Sequence, residues 1–195
     1  MNSPHRTNGI VIGVVSSLED EENLGRVTVR YPYLGDQTSE LARVATLMSG
    51  KGFGTHFLPE VGDEVLVAFE QNDPRRPYIL GGLWNEPDPP PKADGKQKEN
   101  NLRFIQSRSG HKIILDDTSG KEKIILIDKD GKRQVVIDSG AQKIQVLCDQ
   151  GNVEIKAPKG DLTIEAKSIT IKATTDLNLI GGTVTKIQGT TVKIN

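Results

Sequence analysis

The side chains that could carry out acid–base or nucleophilic chemistry are few in this chain of 195 residues, which has three histidines and one cysteine. His56 lies in a glycine-rich segment with Glu60 and Asp63 nearby, and such a group could act as a general acid and base. A lone histidine on such a loop is far more often a surface or interface residue. The trio Ser109, Gly110 and His111 lacks the strand–turn–helix context of a nucleophile elbow. We therefore predict no catalytic residue and no enzymatic activity.

The residues that could hold a metal ion or a cofactor are equally sparse. A lone Cys148 excludes an internal disulfide and a zinc site built from thiolates. Cys148 continues the alternation of Ile144 and Val146, so we expect it to pack as a small hydrophobic residue. The Asp130-Gly131 turn lacks the series of ligands found in calcium-binding repeats. We expect no metal ion and no cofactor.

Composition divides the chain into two unequal units. Residues 1–100 carry 10 basic and 15 acidic side chains, whereas residues 101–195 carry 15 and 11 and have no aromatic residue after Phe104. The net charge of −1 argues against a partner made of phosphate backbone. A proline-rich, polar stretch over residues 85–104 is predicted to be a linker. Residues 1–8 are expected to form a polar N-terminal tail without the apolar core of a signal peptide.

Residues 9–84 are predicted to form an all-β domain. Five β-branched or alternating segments, with turn residues between them, indicate short strands and no helix. This pattern favours an OB-fold barrel, although another small barrel or a sandwich fragment fits it as well. Because the unit is acidic and its aromatic residues lie in or beside strands, we expect no nucleic-acid partner. The predicted strands cover residues 10–15, 25–31, 41–47, 63–70 and 78–84.

Residues 105–195 repeat a pair of aliphatic residues, two positions apart, every 7 to 11 residues. Side chains at i and i+2 share one face of a strand, and the residues between them are often polar, so each strand has one apolar face. A single-chain β-helix spends about twenty or more residues on each coil, so these short repeats cannot enclose a core alone. We therefore predict an intertwined trimeric β-helix, or β-prism; an ordinary β-solenoid with irregular loops is the alternative. The predicted trimer core consists of Ile144, Val146, Val153, Ile155, Leu162, Ile164, Ile169, Ile171, Leu177, Leu179, Val192 and Ile194.

Two motifs in the OB region and one in the repeat region resemble a known family. The segments LPEVGDEVLVAFE (58–70) and DPRRPYILGGLWN (73–85) resemble the OB domain of contractile-tail spike proteins, which include phage baseplate assembly protein V, gp5-like spikes and VgrG proteins. SRSGHKIILDD (107–117) resembles the start of their β-helix. The resemblance implies a homotrimeric central spike of a phage tail, phage-like particle or type VI-like system. Such a spike docks under the hub and tube and transiently pierces the target membrane.

Departures from the family pattern refine this expectation. VgrG proteins carry a large hub region before the OB domain, whereas eight residues precede it here, so we expect a separate hub protein. The linker is too short for a lysozyme domain, and no His-x-His apex is present. The resemblance then implies a PAAR-like tip protein on the last strand, with assembly in the bacterial cytoplasm and action outside the cell. The predicted platform for the tip protein is Thr190, Thr191, Val192, Lys193, Ile194 and Asn195.

One other class of function fits the same two units. The OB-fold domain could bind nucleic acid or a glycan, with the repeat region serving as a trimeric β-stalk. Retention on an oligonucleotide that weakens with salt would favour this alternative.

Overall fold

The computed structural model describes residues 9–92 and 97–193. The predicted tail 1–8, four residues of the predicted linker, and Ile194 and Asn195 of the predicted core and platform lie outside the described residues. The described parts of the chain form strands, turns and three short 3₁₀ helices, with no α-helix. An all-β fold is therefore confirmed.

The first unit is a closed barrel of five strands. The order is β1-β7-β8-β4-β2, and β1 also pairs with β2 to complete the circle. β4 and β8 run parallel, and the other neighbours in the barrel are antiparallel. This arrangement confirms the predicted OB-like barrel. The barrel strands are β1 (Val11–Ser17), β2 (Arg26–Tyr31), β4 (Ala42–Val44), β7 (Glu64–Phe69) and β8 (Pro77–Leu83).

Three very short strands decorate this barrel. β3 (Gln37–Thr38) pairs with the end of β2. β5 (Ser49–Gly50) and β6 (Phe53–Gly54) form a small hairpin in the connection between β4 and β7. The hairpin carries the exposed side chain of Phe53.

Alternate residues of the barrel strands point inward and form its core. β2 and β7 show strict alternation of buried and half-buried positions, as the sequence pattern predicts. Gly13 faces this core, where a Cβ atom would lie 2.2 Å from Cγ1 of Val29. The buried core residues are Val15, Val27, Val29, Tyr31, Ala42, Val65, Val67, Phe69 and Ile79.

The acidic turn between β1 and β2 is held by one carboxylate. Asp20 accepts hydrogen bonds from the backbone N–H groups of Leu24 and Arg26 and pairs with the Arg26 guanidinium at 2.6 Å. The bonds from Arg26 hold the pKa of Asp20 well below its usual range. The turn predicted between these strands therefore has a defined shape.

The second unit is an antiparallel meander of five strands in the order β13-β12-β11-β10-β9. Its hydrogen bonds run between strands of the same chain, and it contains the first four predicted aliphatic pairs. Its first strand begins at Leu102, within the segment predicted as linker. The strands are β9 (Leu102–Gln106), β10 (Lys112–Asp116), β11 (Lys123–Ile127), β12 (Arg133–Asp138) and β13 (Lys143–Cys148).

Beyond Cys148 the chain has repeats without a sheet. No strand occurs between residues 149 and 193, and every residue in this range is exposed. The predicted strands of this region thus have neither a ladder partner nor a cover within the described part of the chain. A ladder requires an adjacent strand, and none lies beside this stretch within the described residues.

Candidate assembly interface

One face of the meander carries two aliphatic rows in register, of which the first crosses all five strands and the second crosses β10 to β13 and ends at Arg103 of β9. In the first row Ile113 lies opposite Ile105 and Leu126, and in the second row Ile124 lies opposite Leu115 and Ile137. Directly opposed side chains of this kind are close enough to pack together. We call the whole set the aliphatic face: Ile105, Ile113, Leu115, Ile124, Leu126, Val135, Ile137, Ile144 and Val146.

The aliphatic face is open to solvent. Its exposed fractions range from 37% at Val135 to 72% at Ile144. Isolated exposed aliphatic residues are ordinary, but a contiguous apolar patch is typical of an interaction site. No other element within residues 9–92 and 97–193 covers these side chains enough to bury them. The face is therefore built to be covered by something else.

The opposite face of the meander is polar along its outer row. Asp116, Lys123, Asp138 and Lys143 lie directly opposite one another, so their charges alternate in sign. Lys123 and Asp138 form an ion pair at 3.1 Å. A hydrogen bond from Thr118 lowers the pKa of Asp116, and one from the Ala141 N–H lowers that of Asp138. The same face also carries Ile114, Ile125, Ile127 and Val136, which are half-buried or buried, so the aliphatic face is the more solvent-exposed of the two.

The predicted core residues after Cys148 are also aliphatic side chains exposed to solvent. Exposed fractions are 71% for Ile155, 65% for Ile164 and 61% for Leu179. Val192 is exposed to 51%. Ile194, the last predicted core residue, lies outside the described residues. The predicted platform residues from Thr190 to Lys193 are also exposed.

The residues considered for acid–base chemistry have structural partners instead. The Glu60 carboxylate pairs with Arg108 at 2.9 Å, which links the barrel to the second unit. The Asp63 carboxylate accepts the backbone N–H of Glu60 at 2.8 Å. His111 accepts the backbone N–H of Lys129 through Nδ1 at 3.2 Å. These contacts shape turns and do not bring a nucleophile to a base.

The described residues offer neither a metal-binding cluster nor a membrane-spanning helix. They contain no group of three or more His, Cys, Asp or Glu side chains placed to hold a metal ion. Among them there is also no helix with the length and apolarity that crossing a bilayer demands. The Cys148 sulfur lies 3.4 Å from the Gln150 carbonyl oxygen, on the same face of β13 as Val146.

The structure reveals a second surface that sequence reasoning missed. A groove on the outside of the barrel runs between the β1–β2 turn and the β5–β6 hairpin. We call it the aromatic groove and define it by Leu24, Arg43, Phe53, His56, Phe57 and Tyr78. The glycine-rich sequence around Phe53 was a signal, since glycines there permit a tight hairpin that presents its neighbours. Trp84, the sole tryptophan, is separately exposed to 71% at the end of β8.

The barrel matches a known family of protein domains. Residues 11–84 match the family of type VI secretion system/phage-baseplate injector OB domains. The matched range coincides with the closed barrel, from the first residue of β1 to one residue after β8. An injector OB domain is what the two sequence motifs of this region predicted.

Curated relatives extend the likeness into the second unit. The chain is 29% identical over 129 residues to the type VI secretion system spike protein VgrG3 of Vibrio cholerae, covering 60% of this chain and 13% of that protein. It is 28% identical over 124 residues to the spike protein VgrG1a of Pseudomonas aeruginosa, covering 58% and 19%. It is 27% identical over 129 residues to the actin cross-linking toxin VgrG1 of Vibrio cholerae, covering 60% and 12%.

The match therefore spans less than a fifth of the length of each of these relatives. The family model and the relatives agree on the kind of protein. Together they confirm the resemblance to contractile-tail spike proteins that the motifs predicted.

Proposed function

We propose that this chain, a VgrG-like baseplate spike protein with an injector OB domain, works as a homotrimer that forms the central spike of a contractile injection machine. The observation that carries the proposal is the aliphatic face, which lies in register across the meander and is open to solvent. The relatives support a spike role. The proposal adds the number of chains, the mechanical action and the partners.

In a single chain the aliphatic side chains lack a cover and the C-terminal repeats lack neighbouring strands, and a trimer would supply both. The aliphatic pairs need a cover, and burying each such side chain is worth roughly 1.5–3 kcal/mol. The backbone between residues 149 and 193 needs ladder partners, since a buried backbone group without a hydrogen bond is costly. A strand and turn of 7 to 11 residues form one side of a prism. Three such sides enclose an axis, and neighbouring chains supply the missing strands.

The proposed trimer transmits force and does no chemistry. The barrels dock under a hub trimer and the tube, and the rod enters the target membrane for a short time when the sheath contracts. Assembly takes place in the bacterial cytoplasm, and the spike acts outside the cell as part of the particle. The toxin among the relatives shares only a region equal to 12% of its length, so its printed activity is not carried over.

A PAAR-like tip protein is proposed to sit on the C-terminal platform, residues 190–195. Thr190 to Lys193 are exposed, and the backbone at a rod end has free hydrogen-bonding groups that favour pairing. Removal of residues 190–195 is expected to abolish capture of a PAAR-repeat protein from the same bacterium while the chain stays trimeric. If the shortened chain captured as much PAAR-repeat protein as the full-length chain does, residues 190–195 would not be the platform.

The alternative, an OB module for nucleic acid or glycan on a trimeric stalk, is not favoured. The relatives reported above are spike proteins or a toxin by name, and none is named for binding either ligand. Of the two arginines beside the aromatic groove, Arg26 is engaged by Asp20 and Glu22.

Light scattering coupled to gel filtration tests the trimer. The expected mass is three chains, and small-angle scattering is expected to show a particle much longer than it is wide. A stable monomer with the mass of one chain would refute the proposed function. Salt-dependent retention of a monomer on an oligonucleotide would support the alternative instead.

A further inference from the structure

The barrel carries two exposed surfaces that the proposed spike role does not use. They are separate from the aliphatic face, which lies on the meander. One is the aromatic groove defined above. The other is the Trp84 patch, which we define as Trp84, Glu64, Asn85, Glu86 and Asp88. Phe53, Phe57 and Trp84 are exposed to 63%, 68% and 71%, respectively. Large aromatic side chains with this exposure are typical of interface anchors.

The aromatic groove is preformed. Lys51 and Gly52 form the two-residue turn of the hairpin, and Gly52 has a φ of +77°. The Phe53 ring lies across Gly50, where a Cβ atom would be only 2.2 Å from Cζ of the ring. The backbone N–H of Thr55 donates to the Met48 carbonyl at 3.0 Å and closes the base of the hairpin. These contacts fix the Phe53 ring before any partner arrives.

The floor of the aromatic groove is also fixed. The Arg43 guanidinium lies 5.5 Å from the centre of the Tyr78 ring. The Tyr78 hydroxyl donates to Glu70 at 2.9 Å, which holds that ring in place. The groove has a volume of about 1100 Å³, enough to receive a large side chain. A stiff, concave and aromatic surface is suited to an aromatic anchor.

The Trp84 patch is also held by hydrogen bonds. Leu83, just before Trp84, pairs with Glu64 of β7. The Asn85 side chain donates to Glu64 at 3.4 Å and accepts the Asp88 N–H at 2.8 Å. The Asn85 N–H donates to the Asp88 carbonyl at 3.2 Å, which closes a turn with Glu86 beside the indole. Trp84 is thus presented next to a set of carboxylates.

The two surfaces have opposite charge. Arg43 lines the groove and Lys51 lies on its hairpin, while Arg26 is paired with Asp20 and Glu22 of the bordering β1–β2 turn; Glu64, Glu86 and Asp88 lie at the patch. Neither Lys51 nor Glu86 has an ion-pair partner among the residues that the structure describes. Complementary potentials of this kind give an interface its orientation and specificity.

A ring with threefold symmetry needs such a pair of surfaces. In a cyclic trimer each contact is heterologous, so one surface of a chain meets a different surface of the next. We propose that the barrels form a closed ring in which the Trp84 patch of one copy packs into the aromatic groove of the next. This inference rests on the proposed homotrimer. It adds a second, separate contact that holds the barrels in a fixed orientation above the rod.

Trp84 is the sole tryptophan, so its fluorescence reports on the contact in the full-length protein. The native trimer is expected to show blue-shifted emission and several-fold weaker acrylamide quenching than the unfolded chain. Phe57→Ala is expected to shift the emission to the red and to raise quenching several-fold without loss of trimer mass. Tyr33→Ala removes an exposed aromatic outside both surfaces and is expected to leave the emission unchanged.

Charge reversal and cross-linking test which surfaces meet. Lys51→Glu is expected to raise quenching of Trp84, and adding Glu86→Lys is expected to restore protection. In a chain with Cys148→Ser, Lys51→Cys and Glu86→Cys, which keeps Phe57 and Trp84 in place, oxidation is expected to link two and three chains. Cross-links within one chain only, or a mass-proven trimer with a fully quenched Trp84, would overturn the ring while the trimer stands. Protection of Trp84 only after a hub protein is added would also overturn it, whereas a monomer mass would refute the trimer itself.

Discussion

Gly13 allows β1 to approach the β2 side chains closely in the barrel. A Cβ atom at Gly13 would lie 2.2 Å from Cγ1 of Val29 and 3.4 Å from the Tyr31 ring. Val29 is fully buried and β-branched, so it has little freedom to move away. The glycine is therefore required by packing and not by its backbone angle.

Gly13→Ala is expected to lower the free energy of unfolding by about 1–3 kcal/mol, the usual cost of overpacking a core. The measurement is urea denaturation at a fixed protein concentration. Gly81→Ala is the matched control, because a Cβ atom at Gly81 meets nothing within 4 Å. Equal stability of the two variants would contradict the steric role of Gly13.

Tyr31 is the buried polar group of the barrel core. Its hydroxyl lies beside Ser39 but has no hydrogen-bond partner in the described residues, and Ser39 Oγ accepts the Val29 N–H. Burial raises the pKa of Tyr31 from 10.0 to about 12. The folded barrel therefore holds the phenol proton more tightly than the unfolded chain does.

The pH dependence follows from that direction. The contribution of the protonated Tyr31 phenol to the free energy of unfolding is fully present below pH 10. It is lost as the pH rises from 10 towards 12, because only the unfolded chain releases the proton in that range. Tyr31→Phe is expected to flatten this alkaline loss and to leave stability at pH 8 equal or slightly higher, since the unpaired hydroxyl is gone. Unfolding by urea at pH 8 and pH 11 checks this. An unchanged alkaline slope in the variant would contradict it.

At the scale of elements, the aliphatic face is the more exposed side of the meander. Val146 belongs to the aliphatic face of β13, and Gln145 points to the other side of the same strand. Val146→Asp is expected to break the trimer at micromolar concentrations, since an unpaired buried carboxylate is strongly unfavourable. Gln145→Asp, the matched control, is expected to stay trimeric by light scattering. A trimeric Val146→Asp chain would place the contact on another surface.

Most of the strand predictions rested on apolar residues that alternate with polar ones along the sequence. The strands at 26–31 and 64–69 follow from alternating apolar residues. The hairpin of β5 and β6 did not follow, because two-residue strands carry no periodic signal. The internal pairing of the meander also had no signal, since alternation fixes a face but not the neighbouring strand. The trimer core and the platform stay predictions.

At the scale of the whole molecule, Cys148 is a natural reporter, because it is the sole thiol and shares the face of Val146. In the proposed trimer this thiol is enclosed, so labelling with a maleimide is expected to be at least an order of magnitude slower than in the Val146→Asp chain. Mass spectrometry over time gives the rate. Equal labelling rates would show that the aliphatic face remains open to solvent in the assembled protein.

Alternating side chains, turn residues and two motifs in the first hundred residues were enough to predict the barrel and its family, because these are local properties of the chain. The aliphatic face was also visible in the repeat, since side chains two apart share a side of a strand. The aromatic groove and the Trp84 patch were not visible. They join residues from separate turns and strands, such as Leu24, Phe53 and Tyr78, and such proximity arises when the barrel closes.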